Sequence, residues 1–522
     1  MRRRSWKVAF AGALALMLMI FAGTGAGRAE AGDPEGARLT PALAALAAHA
    51  GPNRLLHVIV VGNGAAAALA DRGHVRHKLP FSTGVAGTVR PGELQLLATQ
   101  PEVSSVSLDS PVQLDATGSV SAASLSTLYP GRDSASNPWS AGMTGRGVGI
   151  AVIDSGATPS PDFGTRLTQV QLDGQSGSLD DTVGHGTMVA GVAAGYSPDG
   201  NFIGIAPGAN VYAININRAS GVYTSDVITA LKWVFDNAHT YNIRVVNLSL
   251  SETVSNSYKD SPLDLAIERL WASGVFVAVS AGNLGPGQVD YAPANDPLAF
   301  TVGAFDTMDT SGPGDDTLLP WSSGGKTVDG FAKPDLVAPG RHIAAPLPVG
   351  SRLDAQAPSG NRVASGYVTI NGTSFAAPQV AGAAAIILQA HPEYSPDNVK
   401  WVLIAKQGAK PKDSKAGSLS LSSSYNLAGT PGRANQGVPA LVCAPGRACL
   451  SGSTVASSWD SSSWNSSSWN SSSWNSSSWN SSSWNATTDW DSSSWNSSSW
   501  NSSGWNSTSW NSTGSALFDP WG

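Results

Sequence analysis

Apolar residues along this chain come in blocks whose spacing changes from one stretch to the next. Between residues 141 and 435, short near-continuous apolar runs recur at 148–153, 211–216, 244–250, 275–279 and 299–302. Runs of that kind are the pattern of parallel strands buried on both faces. Between them the spacing lengthens. In 225–239 the residues Val227, Ile228, Leu231, Val234 and Phe235 keep one face at i, i+3, i+4 intervals, and 262–273 supplies a second helix. Residues 376–389 form an Ala-rich helical run. Pro378 is expected in its first turn, where a missing N–H costs nothing. This alternation predicts an α/β fold with a doubly wound, mostly parallel sheet and right-handed crossovers. Reactive groups in such sheets gather at the carboxyl ends of the strands.

Upstream the pattern is finer. Strands are expected at 55–61, 81–89 and 103–108, with helices at 65–70 and 93–99. That order predicts a small α+β, ferredoxin-like domain within 32–118. Residues 119–140, rich in Ser, Ala, Gly and Pro, read as a linker to a main domain at 141–435. Residues 1–31 read as a signal peptide. Arg2, Arg3, Arg4 and Lys7 precede an apolar stretch at 8–22, and Ala29-Glu30-Ala31 offers a cleavage site. The apolar stretch is shorter than the ~20 residues that span a bilayer, so export is expected rather than anchoring. The export route stays open.

Past residue 435 the α/β pattern ends. Residues 436–455 read as a second linker, in which Cys443 and Cys449 allow a local disulfide in an exported protein. From 456 to 513 a Ser-Ser-Ser-Trp-Asn unit recurs with period five, followed by a short tail at 514–522. An odd period sends successive tryptophans to alternate faces of a flat strand, and five does not match a helical repeat. The repeat reads as a low-complexity, disordered segment. Its rivals are a carbohydrate or cell-wall adhesion tract and a narrow five-residue β-solenoid.

Composition narrows the partners. With 522 residues, two or more folded units are expected. The net charge of −6 and the lack of a basic cluster beyond the extreme N-terminus argue against nucleic acid.

Candidate chemistry centres on Ser374, where a Gly-containing turn runs into the helical run at 376–389. A hydroxyl at a helix N-terminus faces unpaired N–H groups and the positive end of the dipole, a setting for a forming oxyanion. Serine alone is a poor nucleophile and needs a histidine base and an orienting carboxylate. Asp154 ends the first apolar run, and His185 lies among Gly184, Gly186, Ala190 and Gly191, which leave room for a ring and a substrate chain. Taken singly, Ser374 and Asp154 read as helix caps and His185 as a histidine without a catalytic role. Together they change class.

Val152-Ile153-Asp154-Ser155-Gly156, Gly184-His185-Gly186-Thr187 and Gly372-Thr373-Ser374-Phe375-Ala376-Ala377-Pro378 resemble the three active-site motifs of the subtilisin-like serine proteases, peptidase family S8. They stand in that family's order of Asp, His and Ser, for which subtilisin is itself the reference case. Ser280-Ala281-Gly282-Asn283 resembles the segment that carries the family's oxyanion-hole asparagine, and 101–109 resembles the last strand of a subtilase propeptide. The Gly-x-Ser-x-Gly elbow of an α/β-hydrolase is absent around Ser374.

The resemblance implies a secreted serine endopeptidase acting on polypeptides. Ser374 is implied as nucleophile, His185 as general base and acid, Asp154 as the group that orients the imidazole, and Asn283 as an oxyanion donor. Ser249, Leu250 and Ser251, with Ala281 and Gly282, are implied to bind substrate as an extended strand. It further implies an N-terminal propeptide acting as intramolecular inhibitor and folding aid, removed by a cut within 112–140. No cofactor is required. Structural calcium stays open, with Asp162, Asp180 and Asn201 near loops where relatives bind it. Two departures stand out: Met188 replaces a common second histidine, and Ser251 replaces a glycine at the pocket edge. The rival from another class is a surface-binding protein with working Trp repeats on a catalytically idle scaffold.

Overall fold

A computed structural model describes residues 38–114, 127–172, 178–218, 221–427, 429–443 and 448–455, with the backbone alone at 38, 113–114, 443 and 448–455. The expected signal peptide, the Trp repeat and the Cys443 and Cys449 side chains lie outside what is described.

The N-terminal unit is a five-stranded sheet built from β1 (Arg38–Leu39), β2 (Leu56–Val61), β3 (Gly73–Lys78), β4 (Gly84–Val89) and β5 (Ser105–Leu108), in the order β1-β5-β2-β4-β3. Helices α1 (Pro41–His49), α2 (Ala65–Arg72) and α3 (Leu94–Ala98) cover one face. The period-two alternation of β2 explains the packing. Leu56, Val58 and Val60 join Leu43, Leu69 and Leu97 in this unit's own core, whereas Ile59, with Ala86 and Phe81, belongs to the core of the larger unit. Three elements escaped the sequence pattern: β1, α1 and β3. Strand β3 is a largely polar edge strand, Gly-His-Val-Arg-His-Lys, none of it buried, so no apolar alternation marks it.

A short strand, β6 (Val112–Leu114), leaves this unit and pairs with the larger one. The expected linker is corrected over 127–140. It holds α4 (Tyr129–Arg132) and α5 (Ser136–Ser140), with Tyr129, Ala135 and Pro138 buried and the Trp139 indole donating to the Ile205 carbonyl at 2.9 Å. Its Ser/Gly/Pro composition concealed a few apolar side chains that dock on the main core.

The larger unit is an eight-stranded sheet. Strands β7 (Gly149–Asp154), β8 (Leu167–Val170), β9 (Asn210–Asn215), β10 (Ile243–Leu248), β12 (Phe276–Ser280) and β13 (Phe300–Asp306) pair in parallel in the order β13-β12-β10-β7-β9-β8, and the strand Leu336–Pro339 adds to β13 in parallel. Only β14 (Thr317–Leu318) pairs antiparallel, on β13. β7 and β10 are buried at every position, which is why they read as unbroken apolar runs. Helix α6 (His185–Ala194) and the helix Thr373–Ala390 pack together on the sheet, while α7 (Thr224–Tyr241) and α8 (Pro262–Ala272) pack together against it.

The run at 244–250 is not one strand. Ser249 breaks it into β10 and a separate β11 (Leu250–Glu252), which pairs with β6. The expected linker at 436–455 also holds two strands, Pro439–Cys443 and Ala448–Val455. The first is tied to the α8 region by Tyr258 Oη donating to the Pro439 carbonyl and the Val442 N–H donating to Glu268, both at 2.8 Å.

Candidate active site

The crossover topology brings three elements to one end of the sheet: the carboxyl end of β7, the first residue of α6, and the first turn of the helix Thr373–Ala390. Asp154 is the last residue of β7 and fully buried. Both of its oxygens contact His185 Nδ1, at 2.8 and 3.0 Å. A carboxylate accepts, so Nδ1 carries the hydrogen and Nε2 is left as the basic nitrogen. Oδ1 also accepts from the Ser155 N–H at 2.7 Å and from Ser155 Oγ at 3.2 Å. Ser155 Oγ accepts in turn from the Gly186 N–H at 2.9 Å, which links the strand end to the helix that carries His185.

Asp181 fixes the start of that helix. Gly184 adopts φ +98°, and the Asp181 carboxylate takes hydrogen bonds from the N–H groups of Val183, Gly184 and Thr187 and from Thr187 Oγ1, at 2.7 to 3.1 Å. Burial pushes the Asp181 carboxyl up from its usual range, and these donors oppose the shift. Sequence reasoning placed Asp181 in the histidine motif without a role. A carboxylate four residues ahead of a helical histidine is a signal that could have assigned it. Gly186 is required on contact grounds, since a Cβ there would lie 2.1 Å from the Gly156 carbonyl oxygen.

Ser374 is buried at the second position of its helix, after Gly372 at φ +146°. Its Oγ donates to the Ser249 carbonyl at 3.4 Å. Phe375, the next residue, holds its ring 5.4 Å from the His185 ring. Pro378 lies in the second turn rather than the first, which corrects the sequence expectation. Position 378 is where an N–H would normally close onto the Ser374 carbonyl, and proline has none. Ser249 Oγ donates to that carbonyl instead, at 2.8 Å. Asn247 Nδ2 donates to Ser249 Oγ at 2.9 Å and fixes the hydroxyl. The serine turn is thus tied to the break between β10 and β11.

Asn283 follows β12. Its Oδ1 accepts from the Thr373 N–H at 3.0 Å and from Thr373 Oγ1 at 2.9 Å. With its oxygen held on that side, the amide turns its N–H donors away from Thr373. Gly282, at φ +93°, donates its N–H to Thr373 Oγ1 at 3.2 Å. Ala281 is bonded back into the sheet through Val302. Asp154, His185, Ser374, Asn283 and Ser249 are therefore assembled by direct or one-residue contacts.

The strand β11 carries Leu250 and Ser251, and β6 lies antiparallel along it with Leu114 opposite Leu250, Gln113 opposite Ser251 and Val112 opposite Glu252. On its other side the segment is held by the Val112 N–H donating to the Val222 carbonyl at 2.9 Å and the Thr224 N–H donating to the Ser110 carbonyl at 3.0 Å. Asp109 caps α7 from the N-terminal unit, accepting from the Ser225 N–H at 3.1 Å and Ser225 Oγ at 3.0 Å.

The candidate calcium ligands are each engaged by a protein side chain. Both Asp162 oxygens accept from Tyr367 Oη at 2.6 Å, Asp180 accepts from Gln169 Nε2 at 3.1 Å, and Asn201 donates to Asp199 at 2.7 Å. Among the described residues no group of three or more His, Cys, Asp or Glu is placed to hold a metal. Met188, at the position of the absent second histidine, is buried in the core.

The model for the Peptidase S8 subtilase family matches residues 145–426. The chain is 37% identical over 275 residues to the serine protease AprX of Bacillus subtilis (strain 168), a match that takes in 50% of this chain and 61% of AprX. It is 32% identical over 255 residues to subtilisin Savinase of Lederbergia lenta, across 49% of this chain and 81% of that protein. The chain thus spans less than two thirds of AprX but most of Savinase. Among solved structures it is similar in fold to fervidolysin from Fervidobacterium pennivorans, a keratinolytic enzyme related to subtilisin, with a TM-score of 0.58 at 20% identity over 77% of this chain and 64% of that one.

Proposed function

The chain belongs to the subtilase family, and from that premise we propose that it is an exported serine endopeptidase working through Asp154, His185 and Ser374. The observation that carries the proposal is the two-oxygen contact of Asp154 with His185 Nδ1, beside a serine at a helix N-terminus. Ser374 Oγ attacks the scissile carbonyl while His185 Nε2 takes its proton, and the acyl-enzyme forms as His185 hands that proton to the leaving amine. Water then repeats the sequence in reverse. Asp154 keeps the imidazole in the productive tautomer and stabilises its positive charge. The Asn283 amide and the Ser374 backbone N–H receive the oxyanion.

The N-terminal unit is proposed to be a propeptide, with β6 lying on β11 as a polypeptide substrate would. The cut then falls after Leu114, on the side toward which β6 runs past Leu250 to Ser249 and Ser374. Labelling of the secreted protein with a fluorophosphonate probe, beside Ser374→Ala, tests the proposal. Wild type is expected to label and to lose the mass of the N-terminal unit, while the variant does neither. A folded wild type that does not label would refute it.

Asn283→Ala is expected to lower kcat by about 10²–10³-fold with little change in KM, because the lost donor serves mainly the transition state; the magnitude is subtilisin's own. Steady-state kinetics would check this. A fall confined to KM would remove Asn283 from the oxyanion role.

A further inference from the structure

Glu252 has no part in the chemistry above, yet it is a buried carboxylate on the strand that β6 occupies. It is 6% exposed, its Oε1 accepts from Thr224 Oγ1 at 2.7 Å, and no ion pair to it occurs among the described residues. On α8, Asp264 is fully buried, and Ser261 is the group whose hydrogen bonding opposes its burial. Burial pushes Asp264 up, with Asp296 and then Glu252 adding to it as like charges, and Asp109 of the N-terminal unit acts on Glu252 in the same way. Burial is the largest cause that pushes Glu252 up, to about 7, with Thr224 opposing. Buried acids without a cation are costly, and a properly placed positive charge relieves that cost.

The register says where such a charge would come from. Directly opposed residues of an antiparallel pair project to the same face with their Cβ atoms about 5 Å apart. Val112 is opposite Glu252 and is itself buried. Any chain that replaces β6 on β11 therefore sets one side chain beside Glu252. Valine gives that carboxylate nothing. A lysine or arginine in its place would supply a charge-assisted hydrogen bond, and an aspartate or glutamate would add a further like charge. Loss of the N-terminal unit takes away Asp109 and Arg76, the cation 3.7 Å from Asp109, and leaves Glu252 on the strand that β6 vacates.

We infer that Glu252 makes the substrate position opposite it selective for a cationic side chain. This selectivity rests on the endopeptidase reading above, and two measurements separate the two. In the first, peptides patterned on Ser-Pro-X-Gln-Leu and extended beyond leucine, with X as lysine, norleucine or glutamate, are offered to the matured protein. Lysine is expected to exceed glutamate in kcat/KM by about 100-fold and norleucine by about 10-fold, and the lysine advantage is expected to collapse to about threefold or less in Glu252→Gln. Lysine and glutamate within threefold of each other in wild type, or a ratio untouched by Glu252→Gln, would overturn the inference. The second needs no activity. In the full chain carrying Ser374→Ala, Val112→Lys is expected to melt higher than Val112→Glu, and the gap is expected to close when Glu252→Gln is added. Equal melting temperatures, or a gap that survives Glu252→Gln, would overturn the selectivity. No cleavage of any peptide, with no probe labelling, would overturn the endopeptidase reading while the melting series still decides the groove.

Discussion

His185→Ala is expected to lower peptide-bond turnover by about 10⁶-fold, the scale of loss that subtilisin itself shows when this group is removed. The size follows from what the residue does twice: it takes the proton from Ser374 and later delivers it to the leaving amine. The aromatic neighbour Phe375 carries no ionisable group that could take over either step. The stronger test is non-additivity. Ser374→Ala is expected to cost about as much as His185→Ala, and the double variant no more than either alone, because groups that act as a unit are lost as a unit. Single-turnover kinetics on the three variants, with thermal melting to confirm that each is folded, would check it. Losses that multiply in the double variant would mean that the two side chains act separately, and a fall of only tenfold in His185→Ala would remove the histidine from the mechanism.

The parts of this site that were legible in the sequence are those the backbone pattern itself advertises. Asp154 terminates an apolar run, and a residue at that place in a parallel sheet points into the rim where loops gather. His185 and Ser374 each sit at a glycine-marked helix start, Gly184 at φ +98° and Gly372 at φ +146°, so local composition located both turns. The links between these turns were not legible. Ser249 Oγ on the Ser374 carbonyl joins residues 125 apart in the chain, and it is required only because Pro378 falls in the second turn of the helix. Propensity alone put that proline one turn too early. Glu252 was invisible for a similar reason. A charged residue after an apolar run reads as a strand end facing solvent, and only the tertiary fold buries it against Thr224 and α8.

The edge elements failed for a different reason. Strand β3 and the helical turns over 129–140 contribute few apolar side chains of their own and are held by the units they pack on. Their periodicity is too weak to announce them. A segment whose stability is mostly borrowed carries little local signal.

Asp154→Asn is expected to lower kcat at neutral pH by about 10⁴-fold while the site keeps its shape, the size of loss known from serine-protease triads. The direction can be worked out from the contacts of this carboxylate. Oδ1 accepts from the Ser155 N–H, from Ser155 Oγ and from His185 Nδ1, whereas Oδ2 meets His185 Nδ1 at 3.0 Å. In asparagine, the carbonyl oxygen takes the position with the most donors, that of Oδ1. The amide nitrogen then occupies the place of Oδ2 and presents its N–H groups to His185 Nδ1. Nδ1 then lies between one acceptor at 2.8 Å and one donor at 3.0 Å instead of two acceptors, and the imidazole is expected to carry its hydrogen on Nε2, the wrong tautomer known from triads with this substitution. An Nε2 that already carries a proton cannot take one from Ser374. Nitrogen NMR of the imidazole would read the tautomer directly and is expected to find Nδ1 protonated in wild type and Nε2 protonated in the variant. Ser155→Ala in the same background removes one of the donors that orient the amide, and it is expected to restore part of the activity. Retention of activity within 100-fold in Asp154→Asn, or an unchanged tautomer, would show that this carboxylate does not set the state of His185.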